Sequence, residues 1–487
     1  MLKGRLLRVL ALTALIGTVA ATIADAAPSG PTVKAAQAEG PFDSQTVFCT
    51  KSTPPPGTRN SSNPGVTPNS ITLSDASIDA KALRNIGLDL VDFHDTFTAL
   101  WNEVNKCGGI NGRKIILKTA LYNPLAVDSS GHLQAECLKI TEDQKALVAY
   151  SIGAGTIEKC VSINHKTIFT AQLANAEDFA ASKGRIISIY PAGDRLAAGF
   201  IADAASQGDL KGHKIGVITA ARTPTAVNEA QDQYVDGLKA KGFNVASFEA
   251  LPCQGIVCTQ GIGQAIRRMK DKDVDLLVLS HQISVATFAA VFRELKQQNY
   301  KLQVMGPDFD GIQADQNLAN LLRTAGADAA RFAADNGWYA TAQYDIRNAW
   351  RQGQSKETPF AKMCTSLVAK ATNTRQYLFN EEDFASAKWG SVTIACMYVR
   401  NLARAIWSLG NNVTTERLAA ALGKQKATDF RETQGQFHDK AWYSGTDVSP
   451  PKATTLKFFY PCPLPKPTTN PCMMPVDRPA RVRTIKY

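Results

Sequence analysis

The sequence predicts an α/β protein made of two doubly wound parallel-sheet lobes. Three observations lead there. Short runs rich in Val, Ile and Leu alternate with helical stretches of roughly 10–15 residues, the pattern of parallel strands covered by helices on both faces. The alternation occurs twice, before and after roughly Tyr190. The chain has 487 residues, more than a single hydrophobic core serves.

Taken in order, the chain opens with Lys3, Arg5 and Arg8, an apolar run from Val9 to Ala21, and small residues at Ala24, Ala26 and Ala27. These are the three regions of a cleavable signal peptide, expected over residues 1–27. The run is too short to span a bilayer, and no later run approaches the ~20 apolar residues a span needs. Residues 28–65 are rich in Pro, Ser, Gly and Thr, with Pro54-Pro-Pro56, and read as a flexible leader. A first strand is expected at Ile71–Ser74. From Leu88 to Val104 the apolar residues Leu90, Phe93, Phe97, Leu100, Trp101 and Val104 recur at helical spacing, which places the aromatics in a core.

Gly108-Gly109 then stops this helix, since glycine takes the left-handed backbone that closes one. Asn111-Gly112 turns the chain back, and Ile115–Leu117 is a strand. Helices are expected at Gly131–Thr141 and Thr156–Asn164, with strands at Ala146–Ile152 and Thr167–Thr170. The second run starts with a helix at Asp194–Gln207. Strands follow at Lys214–Thr219, Phe243–Phe248, Asp275–Ser280 and Leu302–Met305. They are separated by helices at Asn228–Lys241, Gly261–Lys270 and Ser284–Gln298. A long helix at Phe384–Leu409, a strand-like Gly435–Lys440 and a strand at Thr454–Tyr460 complete the fold. The Pro-rich tail from Pro461 is expected outside the core.

Ten cysteines in an exported chain suggest disulfides. Cys253 and Cys258 make a small loop clasp, Cys462 and Cys472 bracket the Pro-rich tail, and Cys137 and Cys160 sit on successive predicted helices. No Cys-x-x-Cys or His-x-x-x-His spacing supports zinc. No metal or other cofactor is expected. The formal charge is +11, of which residues 451–487 carry +6 through seven basic residues against one acidic. The body is therefore only mildly basic, and no nucleic-acid partner is expected.

The segment Asn105-Lys-Cys-Gly-Gly-Ile-Asn-Gly-Arg-Lys114 resembles the "NxxGGINGRK" signature of the periplasmic solute-binding proteins of branched-chain amino acid ABC transporters. Further landmarks follow in the same order as in that family: Cys137–Gly153, Lys214–Thr219, Asp275–Ser284, Leu302–Gly311 and Gln434–Lys440. The resemblance covers about Val66 to Tyr460. It implies the type I, or Venus flytrap, architecture with a ligand cleft between the lobes. The expected division is residues 66–190 plus 338–435 for lobe 1, residues 191–337 plus 436–460 for lobe 2, and 461–487 as a Pro-rich basic tail. It also implies a small-molecule solute, delivery to an ABC permease, a periplasmic or cell-envelope location and a monomer.

Candidate ligand residues lie at strand ends, where open parallel sheets bind ligands. Gly155 and Thr156 match the family loop that holds a ligand carboxylate, although Thr156 serves equally as a plain helix cap. Ala171 and Gln172 match the second holding loop; an inward glutamine satisfied by protein is the alternative. Asp308 corresponds by position to the acid that receives a ligand ammonium, or else is a turn residue after Gly306-Pro307. Thr223, His281 and Ser77 are weaker candidates. Where the family places a tyrosine this chain has Ala221-Arg222-Thr223, and where it has a Gly-Gly-Tyr loop this chain has Ser280-His281-Gln282, which argues against leucine-type specificity. No catalytic signature occurs. Two other readings stand beside it: a ligand sensor of the same fold signalling to a membrane partner, and a secreted hydrolase on an α/β scaffold using Ser151 or Ser280 with His281.

Overall fold

In the computed structural model the described residues are 40–85, 88–123, 129–151, 157–172, 174–254, 257–308, 315–343, 357–379, 388–426, 438–463, 469–477 and 481–487. The expected signal peptide, Gly155 and Thr156 lie outside them.

The first sheet takes β1 (Ser70–Asp75), β2 (Lys114–Thr119), β3 (Val148–Tyr150), β4 (Ile168–Thr170) and β5 (Ile186–Ser188) in parallel. The second is parallel throughout: β6 (Lys214–Ala221), β7 (Asn244–Pro252), β8 (Leu276–Leu279) and β9 (Gln303–Met305), in the order β7-β6-β8-β9. A third, antiparallel sheet joins β10 (Tyr339–Ala342) to β12 (Lys452–Phe459) and β13 (Cys472–Pro475). It continues from the second, because Thr341 N–H donates to Gly306 O and Asp308 N–H to Thr341 O, both at 2.9 Å. Each parallel sheet has its own apolar core, the mark of two lobes.

The Asn-Gly signature does structural work here. Asn105 exchanges two hydrogen bonds with the backbone of Ile115, tying the Phe93–Lys106 helix to β2 (2.7 and 2.9 Å). A Cβ on Gly109 would lie 2.0 Å from Arg113 O, so only glycine fits. Asn111 Nδ2 donates to Trp407 O and Gly410 O, closing the long Trp389–Ser408 helix. Buried Arg113 donates to Thr67 O, Asn411 O and the Asn60 side chain. Along the Phe93–Lys106 helix, Phe93, Phe97, Leu100, Trp101 and Val104 are buried in the first core. Each such side chain contributes roughly 1.5–3 kcal/mol.

Four expectations need correction. The leader does not stay free over its described part, 40–65. Phe42 and Phe48 are buried, Cys49 is bonded to Cys107, and buried Arg400 donates to the carbonyls of Phe42 and Phe48. The tail does not lie outside the core: Met473 and Met474 on β13 are fully buried. Its apolar residues alternate too little for periodicity to show a strand, and the Cys462–Cys472 bond folds it back on β12. The two-residue strand β11 (Tyr443–Ser444), expected with lobe 2, instead pairs antiparallel with β5 in the first sheet. Conversely β10, expected with lobe 1, joins β12 beside the second sheet. The expected strand-like Gly435–Lys440 is described only from His438, where Lys440 makes a single bridge to Lys426. A helix at Ala176–Ala181 and strand β5 went unforeseen, both too short for a periodic signal. The remaining disulfides are Cys137–Cys160, Cys253–Cys258 and Cys364–Cys396.

Candidate functional site

The carboxyl ends of the parallel strands in both sheets carry buried polar residues. From the first sheet come Asp75, Ser77, Ser151 and Thr170; from the second come Thr219, Ser280, His281, Gln282 and Asp308. The two sets belong to elements that touch. Asn175, beyond β4, donates through Nδ2 to Glu229 Oε1 at 2.9 Å, and Glu229 lies on the Pro224–Ala230 helix beyond β6. Gln233 Nε2 donates back to Asn175 Oδ1 at 3.4 Å. Arg222, beyond β6, acts electrostatically on Tyr122, beyond β2. The lobes thus meet over polar strand ends, a place where excluded water makes each polar contact count.

Ser77 is fully buried, and its position is fixed by the backbone. Its N–H donates to Asp75 Oδ1 at 2.9 Å, and its carbonyl accepts from Tyr122 N–H at 3.0 Å. Its hydroxyl has no hydrogen-bond partner among the described residues. A buried hydroxyl left this way costs free energy unless something meets it. Asp75 itself is held by His94, whose Nδ1 lies 2.9 Å from Oδ2, and this bond raises the His94 pKa.

His281 is held on one side by Tyr234. The tyrosine oxygen accepts the His281 backbone N–H at 2.9 Å and its hydroxyl faces Nδ1 at 2.8 Å. When the tyrosine proton points to Nδ1, the ring proton sits on Nε2. Burial, with Arg222 adding to it, lowers the His281 pKa to about 3, so the ring is neutral. Next to it, Ser280 Oγ shares a 2.8 Å hydrogen bond with Thr219 Oγ1.

Other expected residues fall in varied places. Asp308 is fully buried just beyond β9, with its backbone fixed by Thr341. Ala171 is buried, but its N–H is used in the sheet, donating to Ile187 O at 2.9 Å. Gln172 is half-buried at the same strand end. Thr223 is exposed and caps the next helix, its Oγ1 accepting from Ala226 N–H at 3.1 Å, and so does not join the buried set. Arg222 is half-buried. Sequence reasoning passed over Tyr122, which the strand-end rule reaches, since it follows β2. It also passed over Tyr234 and the Asn175–Glu229 pair, for which the local sequence holds no signal.

Among the described residues Cys137, Cys160 and His165 come close enough to hold a metal, but the two sulfurs are bonded to each other and cannot ligate as thiolates. No helix among the described residues is long and apolar enough to cross a membrane.

This is the fold of the type I periplasmic solute-binding proteins of ABC transporters. A solute-binding protein from Rhodopseudomonas palustris BisB5, solved with 3,4-dihydroxybenzoic acid, superposes with a TM-score of 0.56 over 85% of this chain and 98% of that one, at 11% identity. A fatty acid ABC transporter substrate-binding protein from Thermomonospora curvata gives 0.57 over 86% and 94%, at 16% identity. The branched-chain amino acid binding protein LivJ of Streptococcus pneumoniae, solved with isoleucine, gives 0.52 over 84% and 99%, at 11% identity. No protein-family profile matches the chain. No curated protein matches it in sequence.

Proposed function

We propose that this protein is the extracytoplasmic substrate-binding component of an ABC importer, capturing a small polar solute between two closing lobes and presenting it to a membrane permease. One observation carries the reading. Ser77, Ser151, His281 and Asp308, at strand ends of the two lobes, are each 3% exposed or less, and Arg222 beyond β6 acts electrostatically on both His281 and Tyr122, the latter beyond β2. Residues of that kind hold a solute that both lobes must contact, and closure over it excludes water. The solved relatives with this fold bind hydroxybenzoates and isoleucine, all bearing a carboxylate. The solute is therefore a small carboxylate or related amide, with Arg222 and the Nε2–H of His281 on its anionic side. Asp308 and the Ser77 hydroxyl receive its donors.

The protein acts as a monomeric receptor, not as an enzyme. A serine hydrolase needs a histidine that accepts the hydroxyl proton. Burial lowers the His281 pKa to about 3, which makes it a weak base, and Ser280 Oγ shares a hydrogen bond with Thr219 Oγ1.

A thermal-shift panel of 4-hydroxybenzoate, 3,4-dihydroxybenzoate, isoleucine, leucine, small amides and sugars tests the reading. A solute that binds only the native state stabilises it by about 2.7 kcal/mol at a hundredfold excess over Kd. The expected result is a shift with a carboxylate member and none with sugars. A hit retained in Asp308→Asn removes the ammonium model and keeps the receptor. No shift from any member contradicts the carboxylate receptor.

A further inference from the structure

Three segments cross between the lobes, and they converge on one end of the Gly193–Gln207 helix. The first crossover enters it: Ala192 N–H donates to Val448 O of the third crossover at 3.0 Å. The second leaves β10 at Gln343, whose Nε2 donates to Leu196 O at 3.0 Å. The third runs from β11 to β12 through Pro450 and Pro451. Gly199 sits under all of this. A Cβ there would lie 2.3 Å from Gln343 Oε1, 3.1 Å from Pro450 Cγ and 3.3 Å from Ile485 Cδ1.

That last contact belongs to the segment Arg481–Tyr487. Its strand β14 (Arg483–Thr484) pairs antiparallel with Lys452 and Ala453 at the start of β12. The guanidinium of Arg483 forks onto Asp203 of the helix, Nε to Oδ1 at 3.1 Å and Nη2 to Oδ2 at 2.6 Å, and Nη2 also donates to Thr455 Oγ1. Asp203 is 2% exposed, so this is a buried, two-pronged pair. Ile485 is buried between Ala202 and Ala453, and its N–H donates to Pro451 O at 3.0 Å. The Tyr487 hydroxyl donates to Pro450 O at 2.7 Å. The segment therefore holds helix, strand and third crossover together, and grips the crossover at two consecutive carbonyls.

We propose that Arg481–Tyr487 is a clasp on the hinge: it holds the third crossover against the second lobe and so restricts how readily the two lobes open. Hinges are a few loop or element-end residues that absorb the backbone rotation of closure. With Pro450 held by Tyr487 and Pro451 by Ile485, the stretch left to rotate in this crossover shrinks to the residues between Ser444 and Ser449. Their own contact to the first crossover, Val448 O with Ala192 N–H, then carries the motion. The proposal rests on the two-lobe receptor reading for its use, but not for its test.

Hydrogen–deuterium exchange on the full-length chain, without any added solute, tests it. The reporters are the Ala192 amide and the amides of residues 444–449; the reference is Ile215–Ile218 in β6. Tyr487→Phe removes one grip with little else. The double variant Asp203→Asn with Arg483→Gln removes the ion pair without leaving a buried charge alone. The expected result is exchange at the crossover reporters faster by roughly tenfold or more in the double variant, and less in Tyr487→Phe, with β6 unchanged. A larger radius of gyration by X-ray scattering should accompany it. Unchanged reporters overturn the clasp. Faster exchange in β6 to the same extent also overturns it, because the segment would then only be holding the second lobe together. Failure of the solute panel leaves this outcome readable, since no ligand enters the measurement.

Discussion

Glu136 offers a quantitative test of the interior electrostatics. It lies on the Ser129–Leu138 helix, is 4% exposed, and has His132 Nε2 at 3.2 Å from one carboxylate oxygen. Burial raises its pKa from 4.5 to about 8, partly opposed by Lys139. The sign follows from where the proton sits. Between pH 4.5 and 8 the folded chain keeps a proton that the unfolded chain releases, so stability falls as pH rises through that window. At 1.36 kcal/mol per unit of pH, the carboxyl costs about 3 kcal/mol at pH 7 and approaches about 5 kcal/mol by pH 8. Glu136→Gln keeps shape and hydrogen-bonding capacity and does not ionise. Urea unfolding with disulfides intact should show the variant equal to the parent near pH 4.5, then more stable by a margin that grows to a plateau above pH 8. A margin that is the same at pH 5 and pH 8, or a variant less stable at both, would refute the argument.

Other predictions follow from the same contacts. The buried neutral His281 contributes the opposite dependence. Its pKa is lowered to about 3, so stability is lost as pH falls from 6.5 toward 3, by about 3 kcal/mol at pH 4.5. His281→Asn should therefore shift the acid-unfolding midpoint, followed by circular dichroism, to lower pH. Arg400→Met leaves the carbonyls of Phe42 and Phe48 without their donor and should destabilise the chain by about 2–4 kcal/mol in denaturant melts. It should also open a proteolytic site between residues 40 and 50. Asn175→Ala removes two hydrogen bonds between the lobes and should weaken solute binding by roughly 2- to 12-fold, mainly through faster dissociation in stopped flow.

Much of this fold was legible because parallel strands buried on both faces read as continuous apolar runs. Lys214–Ala221 and Leu276–Leu279 are plain examples. The Asn105–Lys114 signature was equally readable, and side-chain bonds explain why Asn105, Asn111 and Arg113 stand there. What stayed hidden was held by distant partners. The leader at 40–65 reads as loose, yet Arg400 lies some 350 positions away in sequence and fixes it. The tail reads as solvated, yet a disulfide and a buried ion pair fold it in. Of the candidate site, the strand-end rule reaches Ser77, His281 and Asp308, which the structure shows to be buried. Thr223 was misplaced because a threonine before proline at a helix start also makes a good cap. Glu136 gave no signal, since its burial depends on packing around a helix of weak amphipathicity.

The central claim is that one solute is held by both lobes at once. A double-mutant cycle across the cleft tests it most directly, with Ser77→Ala from the first lobe and His281→Ala from the second, measured by isothermal titration with the solute found in the panel. The expected result is one solute per chain and a loss of about tenfold or more in affinity for each single variant, about 1.4 kcal/mol apiece. Binding that depends on residues of only one lobe, or that survives both substitutions unchanged, would contradict it.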